Sequence, residues 1–155
     1  MKENKPLATL MIVEHDNQLL SVNTLRVLNA AAQIQQDGAS LPVTAFLVGY
    51  QCSVVLDVLK CTNGIAKIIV ANAPEYEHQL AENLSTFIAE VAKDYSHIIA
   101  PASTFGKNLM PRVAALLNVG QLSDVCAIES LDTIIRPIYA GNALARVRSV
   151  DPIKV

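Results

Sequence analysis

The sequence has no tryptophan, only four tyrosines and three phenylalanines, and six glycines in 155 residues. A site that covers an aromatic ring and seats its phosphates draws on such residues, so little is available here to build one. No GxGxxG follows the first apolar run, which removes the dinucleotide fingerprint. Charge is scarce as well, at 17% of residues, and nearly balanced by twelve basic and fourteen acidic side chains (net -2). They form no basic stripe that could track a phosphate backbone, which excludes nucleic acid as a partner. No apolar run approaches the roughly 20 residues needed to cross a bilayer, so no direct membrane insertion is expected. Cys52, Cys61 and Cys126 are odd in number and form no CxxC pair. They read as small thiols of a reducing compartment, and the cytoplasm is expected. The charged start, Met1-Lys2-Glu3-Asn4-Lys5-Pro6, is neither a secretion signal nor a transit peptide.

What is present is apolar: 52% of residues, with a mean hydropathy of +0.34. That is high for one domain, and part of the surface is expected to be covered by a partner. Leu7-Ala8-Thr9-Leu10-Met11-Ile12-Val13 is a continuous apolar run, as expected of a strand buried on both faces. Ser21 is placed to cap a helix that carries Leu25, Leu28 and Ala32 inward and runs out at Asp37-Gly38. A second strand over 42–48, a helix over 53–60 and a third strand over 67–70 follow. Tyr76, Leu80, Leu84, Ile88 and Val91 recur on one helical face, with Glu75 and Glu77 in the first turn and Lys93 near the end. His97-Ile98-Ile99-Ala100 is the fourth strand. A helix over 107–117 buries Leu109 or Met110, Val113, Leu116 and Leu117, with Pro111 in its first turn. This alternation predicts an α/β fold in three layers: an open, mainly parallel sheet with helices on both faces.

The last third changes character. Residues 125–128, 133–139 and 143–150 read as strands without helices between them, and Gly141-Asn142 as a two-residue turn. An antiparallel hairpin near the C-terminus is therefore expected. Ile153-Lys154-Val155 reads as the start of a further strand, in the manner of a piece cut from a longer chain.

Ligands of open parallel sheets bind beyond the carboxyl ends of the strands. Three segments fall there: Glu14-His15-Asp16-Asn17, Gly49-Tyr50 and Pro101 through Asn108. The last brings hydroxyls, N–H groups and Lys107 to a helix start, a natural anion site. It is not a phosphate loop, since Pro101 and Asn108 stand where that motif needs glycine and a hydroxyl. Ser103 and Thr104 read as helix caps, because no histidine lies beside them in sequence to activate a nucleophile. Glu14-His15-Asp16 is the one acid–base cluster on offer, while His78 and His97 read as structural. Three dispersed histidines give no metal pattern. No catalytic, cofactor-binding or metal residue is assigned.

Asp94-Tyr95-Ser96-His97-Ile98-Ile99-Ala100-Pro101-Ala102-Ser103-Thr104-Phe105-Gly106-Lys107-Asn108, continuing through Pro111-Arg112-Val113-Ala114-Ala115-Leu116-Leu117, resembles the electron transfer flavoprotein alpha subunit. Gln121-Leu122-Ser123-Asp124-Val125, Arg136-Pro137-Ile138-Tyr139-Ala140-Gly141-Asn142-Ala143 and Glu14-His15-Asp16-Asn17 are similar to the same family, in the expected order. The resemblance implies an adenine nucleotide alpha hydrolase-like fold and a single N-terminal domain over 1–155. It further implies a full-length heterodimer whose FAD is bound mainly by a C-terminal domain, expected to be absent from this chain. The resemblance also implies a beta-subunit partner, electrons taken from flavin dehydrogenases such as acyl-CoA dehydrogenases, and delivery to a membrane quinone oxidoreductase. This chain would then be a scaffold and interaction domain, an electron carrier's part and not an enzyme. Arg136, Pro137, Tyr139, Gly141, Asn142 and Arg146, on the uncovered hairpin, are the candidate subunit contacts, unless the hairpin folds over its own sheet. A nucleotide-binding module resembling the universal stress proteins is the alternative. It predicts a glycine-rich loop after the fourth strand, where this chain has only Gly106.

Overall fold

The computed structural model describes residues 7–155; the charged start at 1–6 lies outside them. In chain order come β1 (Thr9–Ile12), α1 (Val22–Ala31), the short strands β2 (Gln35–Gln36) and β3 (Ala39–Ser40), then β4 (Val43–Gly49) and α2 (Ser53–Lys60). Next are β5 (Lys67–Asn72), a 3-10 turn (Pro74–Tyr76), α3 (Ala81–Ala92), β6 (His97–Ile99) and α4 (Thr104–Leu117). The chain ends on β7 (Ala127–Ile128), β8 (Thr133–Ile138) and β9 (Ala143–Arg148).

The central sheet is parallel, in the order β5-β4-β1-β6. Strand β1 sits inside it, which is where a run apolar on both faces belongs. Alternation along the strand then divides the core. Leu10 and Ile12 join Phe46 and Val48 against Leu84 and Ile88 of α3 and Leu109 and Val113 of α4. Met11 and Val13 join Val43, Ala45 and Leu47 against Val27, Leu28 and Ala31 of α1 and Val55 and Leu59 of α2. The helices therefore cover both faces, as expected. Lys154 forms a parallel bridge to His97, with Ile98 N–H donating to the Lys154 carbonyl at 2.8 Å. The expected further strand thus lies along β6.

Several local expectations are corrected. Helix α1 ends at Ala31, and Asp37-Gly38 (φ +53° and +81°) instead turns the β2–β3 hairpin. The inward face of α1 is Thr24, Val27, Leu28 and Ala31; Leu25 and Ala32 are exposed. Tyr76 is not on α3. Pro74 opens a separate 3-10 turn and Gln79 adopts φ +47°, which breaks the helical ladder before Ala81. Glu82, not Glu75 or Glu77, lies in the first turn of α3. Tyr76 nevertheless reaches the core by stacking on Phe87 at 5.9 Å, while Leu80 is exposed. Helix α4 begins at Thr104, so Pro111 lies well inside it and has no N–H to offer the Lys107 carbonyl four residues back. Leu109 and Met110 are both buried there, and Leu116 is exposed.

The antiparallel strands form their own sheet, in the order β7-β8-β9. The β8–β9 loop is four residues long, not two. Ile138 pairs with Ala143, leaving Tyr139, Ala140, Gly141 and Asn142 as the turn.

Thr9 is fully buried in β1 and its hydroxyl has no partner among the described residues. Removing an unsatisfied buried hydroxyl while keeping the branched shape should help. Thr9→Val is expected to raise stability by about 1 kcal/mol, read as a higher midpoint in urea unfolding with unchanged slope.

Candidate functional site

The strand order reverses between β1 and β6: β4 and β5 build outward on one side of β1, and β6 on the other. The loops after β1 and β6 therefore face each other at the topological switch point, where such sheets bind ligands. The crevice is occupied by the chain's own Glu14. Its carboxylate accepts from Ser103 Oγ at 2.6 Å, Ser21 Oγ at 2.8 Å and Asn23 Nδ2 at 3.0 Å. Ser103 caps α4 by accepting from Gly106 N–H, and Ser21 caps α1 by accepting from Asn23 N–H. One carboxylate thus joins the caps of both helices. Thr24 fixes the Glu14 backbone, accepting from its N–H at 2.9 Å and donating to its carbonyl at 3.0 Å. Partial burial pushes the Glu14 pKa up, but the donations from Ser103, Asn23 and Ser21 outweigh it and hold the carboxyl below its ordinary value.

Gly106 lets the α4 start approach this closely: a Cβ there would stand 1.8 Å from the Pro101 carbonyl oxygen. Lys107, expected at the anion site, instead pairs with Asp124 at 3.1 Å on the surface. Beside the crevice lies a groove of about 660 Å³, walled by Arg26 and Val27 of α1, Met110 of α4, and Ile128 and Ile134 of the small sheet.

Glu14, His15 and Asp16 do not converge. His15 turns away under β4, where Nε2–H donates to the Val48 carbonyl at 3.0 Å and Nδ1 accepts from Asn17 N–H at 2.9 Å. Asp16 accepts from the N–H groups of Gln18 and Leu19, closing its own turn. At Gly49 a Cβ would crowd Asn17 Oδ1 and stand 2.7 Å from the His15 ring, so a larger residue there would have to displace both side chains. His97 donates to the Leu131 carbonyl at 2.7 Å and contacts Ser96 Oγ at 2.9 Å, tying β6 to the approach to β8. No group of histidine, cysteine, aspartate and glutamate among the described residues is arranged to hold a metal. Sequence reasoning missed Glu14 as the crevice's own anion. The available signal was an acidic residue directly after the first strand with capping serines at both helix starts.

The hairpin residues fall into two groups. Cross-strand pairs Thr133–Arg148, Ile135–Arg146 and Pro137–Leu144 share one face; Ile134–Val147, Arg136–Ala145 and Ile138–Ala143 share the other. Arg146 is exposed and pairs with Glu129, and Arg148 pairs with Asp132 at 2.7 Å. Donations from Thr133, Arg148 and Ser130 hold the Asp132 carboxyl down at about 2. Tyr139 is 79% exposed at the tip, Leu144 is 69% exposed and Val150 is 92% exposed. Tyr139 and Ala140 adopt φ of +51° and +54°, left-handed values that each cost a residue with a Cβ about 1 kcal/mol. Gly141 takes φ +89° without that cost, and Asn142 Nδ2 donates to the Tyr139 carbonyl at 2.9 Å. Arg136 and Pro137 are half-buried.

A parallel sheet with helices on both faces and a crevice at its order reversal defines a doubly wound α/β domain. Residues 9–155 match the electron transfer flavoprotein domain, and the chain belongs to that family. It is 44% identical over 149 residues to the electron transfer flavoprotein subunit alpha of Pseudomonas aeruginosa, covering 96% of this chain and 47% of the relative. The Paracoccus denitrificans alpha subunit is 43% identical over 149 residues, with the same coverage of each chain. The mitochondrial alpha subunit of Dictyostelium discoideum is 40% identical over 153 residues, covering 94% of this chain and 42% of the relative. The chain thus spans somewhat less than half the length of these relatives. No helix among the described residues is long and apolar enough to cross a membrane.

Two outcomes follow for the crevice. Ser103→Ala should cost about 1 kcal/mol through the lost α4 cap, measured by chemical unfolding. The pH dependence has two limbs. Burial holds His15 and His97 below the ordinary histidine pKa, so the unfolded chain binds more protons and stability falls as pH drops below about 6.5. Glu14, held below its ordinary value, adds stability that is complete above about 4.3 and is lost as pH falls through its folded pKa. The melting temperature should therefore fall from pH 7.5 to 5.5 by on the order of a few degrees, and again below pH 4.5. In Glu14→Gln the first limb should be unchanged and the second reduced, with the share carried by Asp132 and Asp16 remaining.

Proposed function

We propose that this chain is the N-terminal domain of an electron transfer flavoprotein alpha subunit, acting as a scaffold and docking surface for the beta subunit. The observation that carries the reading is the near-complete alignment of the chain with alpha subunits of which it spans less than half. The assembly would take electrons from flavin dehydrogenases, such as acyl-CoA dehydrogenases, and pass them to a membrane quinone oxidoreductase in a cell whose copy is cytoplasmic. FAD would be held mainly by the rest of the subunit. The crevice residues do not fit the flavin's pyrophosphate, because the Glu14 carboxylate already takes the donors at both helix starts and would repel a second anion. No electron-transfer step is assigned to residues of this chain.

The docking role falls on the hairpin carrying Arg136, Pro137, Tyr139, Gly141, Asn142 and Arg146. Its exposed tip combines an aromatic with two non-glycine residues in left-handed backbone, and strain of that kind collects at functional surfaces. A universal-stress-protein-like nucleotide module fares worse, since its phosphates would need the donors Glu14 uses.

Two measurements test the reading. The purified chain, incubated with excess FAD and desalted, should show no flavin band in the visible spectrum; near-stoichiometric retention would place the cofactor here. The double substitution Tyr139→Asp, Arg146→Glu should weaken capture of the beta subunit by tenfold or more (about 1.4 kcal/mol) while the far-ultraviolet dichroism is unchanged. Equal affinity in a folded double variant would remove the hairpin from the interface.

A further inference from the structure

The ring of His15 is a buried titratable group that takes no part in the crevice. His15 is 8% exposed and lies where three segments meet: the loop after β1, the end of β4, and the stretch after the 3-10 turn. Two backbone groups fix its tautomer. The Val48 carbonyl can only accept, so Nε2 carries the proton, at 3.0 Å; Asn17 N–H can only donate, so Nδ1 is bare, at 2.9 Å. Gln79 Nε2 also lies 3.3 Å from Nδ1 and donates to the His15 carbonyl at 3.1 Å. Asn17 completes the clamp, its Nδ2 donating to the Glu77 carbonyl at 2.9 Å and its Oδ1 accepting from Tyr50 N–H at 3.0 Å. Asn17 and Gln79 hold φ of +73° and +47°, left-handed values that residues with a Cβ keep only where their surroundings impose them. The ionisable groups on these elements are Glu14 and Asp16 beside His15 in sequence, Tyr50 after β4, and Glu75, Glu77 and His78 after β5. Burial disfavours a charge on the ring, and it outweighs the bond to Val48 and the negative charge of Asp16, which favour one.

We propose that His15 is a pH-sensitive latch: its neutral ring clamps the loops after β1 and β4 to the 77–80 segment, and a proton on Nδ1 releases that segment while both cores stay closed. A protonated Nδ1 faces two donors. Asn17 N–H cannot become an acceptor, and Gln79 presents its amide oxygen only by giving up its bond to the His15 carbonyl. The charged ring is therefore better served by water, which it reaches when the segment lifts. Little opposes that motion, because Glu77, His78 and Leu80 are exposed and bury no apolar area between them. Lifting also frees Gln79 from its left-handed backbone. Glu14 meanwhile keeps Ser21, Asn23 and Ser103, none of which is bonded to the latch. The device does not depend on the alpha-subunit reading.

Hydrogen exchange of the whole chain tests the latch, read by NMR between pH 7.5 and 5.5 and expressed as protection relative to the unstructured rate at each pH. A released ring titrates near the ordinary value of about 6.5, so protection of the Asn17, Tyr50 and Gln79 backbone N–H groups should fall by up to about tenfold. The midpoint of that loss should coincide with the midpoint of the His15 ring resonance. At each pH these three groups should be less protected than Met11, Phe46 and Ile88 in the cores, and low urea should leave their exchange unchanged, since a local opening exposes little surface. In His97→Gln the loss should persist. In His15→Gln, whose amide can still donate to Val48, it should vanish. Protection equal to that of the core groups, with the same urea dependence, would mean that the segment opens only by global unfolding and would overturn the latch. So would constant protection across the pH range, or a loss that survives in a folded His15→Gln chain. Should His15→Gln not fold, the wild-type midpoints decide, and a loss that tracks the His78 ring instead of His15 overturns the proposal.

Discussion

Where the strand order reverses between β1 and β6, two helix starts face each other and their orphan N–H groups need an acceptor. In nucleotide-binding members of this architecture a phosphate can meet that need. Here Glu14 meets it from inside the chain, joining Ser103 at the start of α4 to Ser21 and Asn23 at the start of α1. The two helices lie on opposite faces of the sheet, so the tie spans all three layers. Gly106 and Gly49 carry the same constraint into the neighbouring loops, each allowing an approach that a Cβ would block. Preorganisation that a bound anion would otherwise supply is therefore built into the chain itself.

The layers were legible because burial on both faces leaves a plain mark in a sequence. Leu10-Met11-Ile12-Val13 and Val43 through Val48 are uninterrupted apolar runs, and only a strand between two helix layers needs that. Helix phase was less legible. In α1 the alternatives Leu25 and Val27 are equally apolar, and the choice between them is made by how α1 sits on β1, not by the segment. Tyr76 fits the period of α3 and still belongs to another turn, because the backbone at Gln79 breaks the helix without a glycine or proline to announce it. Pro111 misled in the opposite sense. Proline is usually a boundary, but α4 begins a full turn earlier on the strength of Ser103 and the crevice contacts.

The candidate site divides along the same line. Residues that could serve as caps were legible, since Ser21 and Ser103 act locally and a cap is a short-range device. The partner they share was not, because Glu14 lies 89 residues from Ser103 in sequence and meets it only through the parallel pairing of β1 with β6. The grouping of Glu14, His15 and Asp16 as an acid–base cluster failed for a related reason. Successive residues leaving a strand point in different directions, and here each finds a different partner.

Polar groups in the body of the domain and those on the hairpin are in different states, and that difference bears on where a partner can gain most. In the crevice the carboxylate, both caps and the neighbouring imidazole of His15 have their hydrogen bonds made, so a ligand arriving there must break good bonds to form new ones. On the hairpin, Tyr139 and Leu144 stand in solvent, as does Val150 just beyond it, and the tip holds left-handed backbone at Tyr139 and Ala140. Association there can bury apolar area without disturbing the tie at Glu14. Binding energy is more readily gained where free groups are badly solvated than where they are already satisfied. A domain that fills its crevice with its own carboxylate thus leaves a partner more to gain at an exposed surface, such as the tip of the hairpin, than in the crevice.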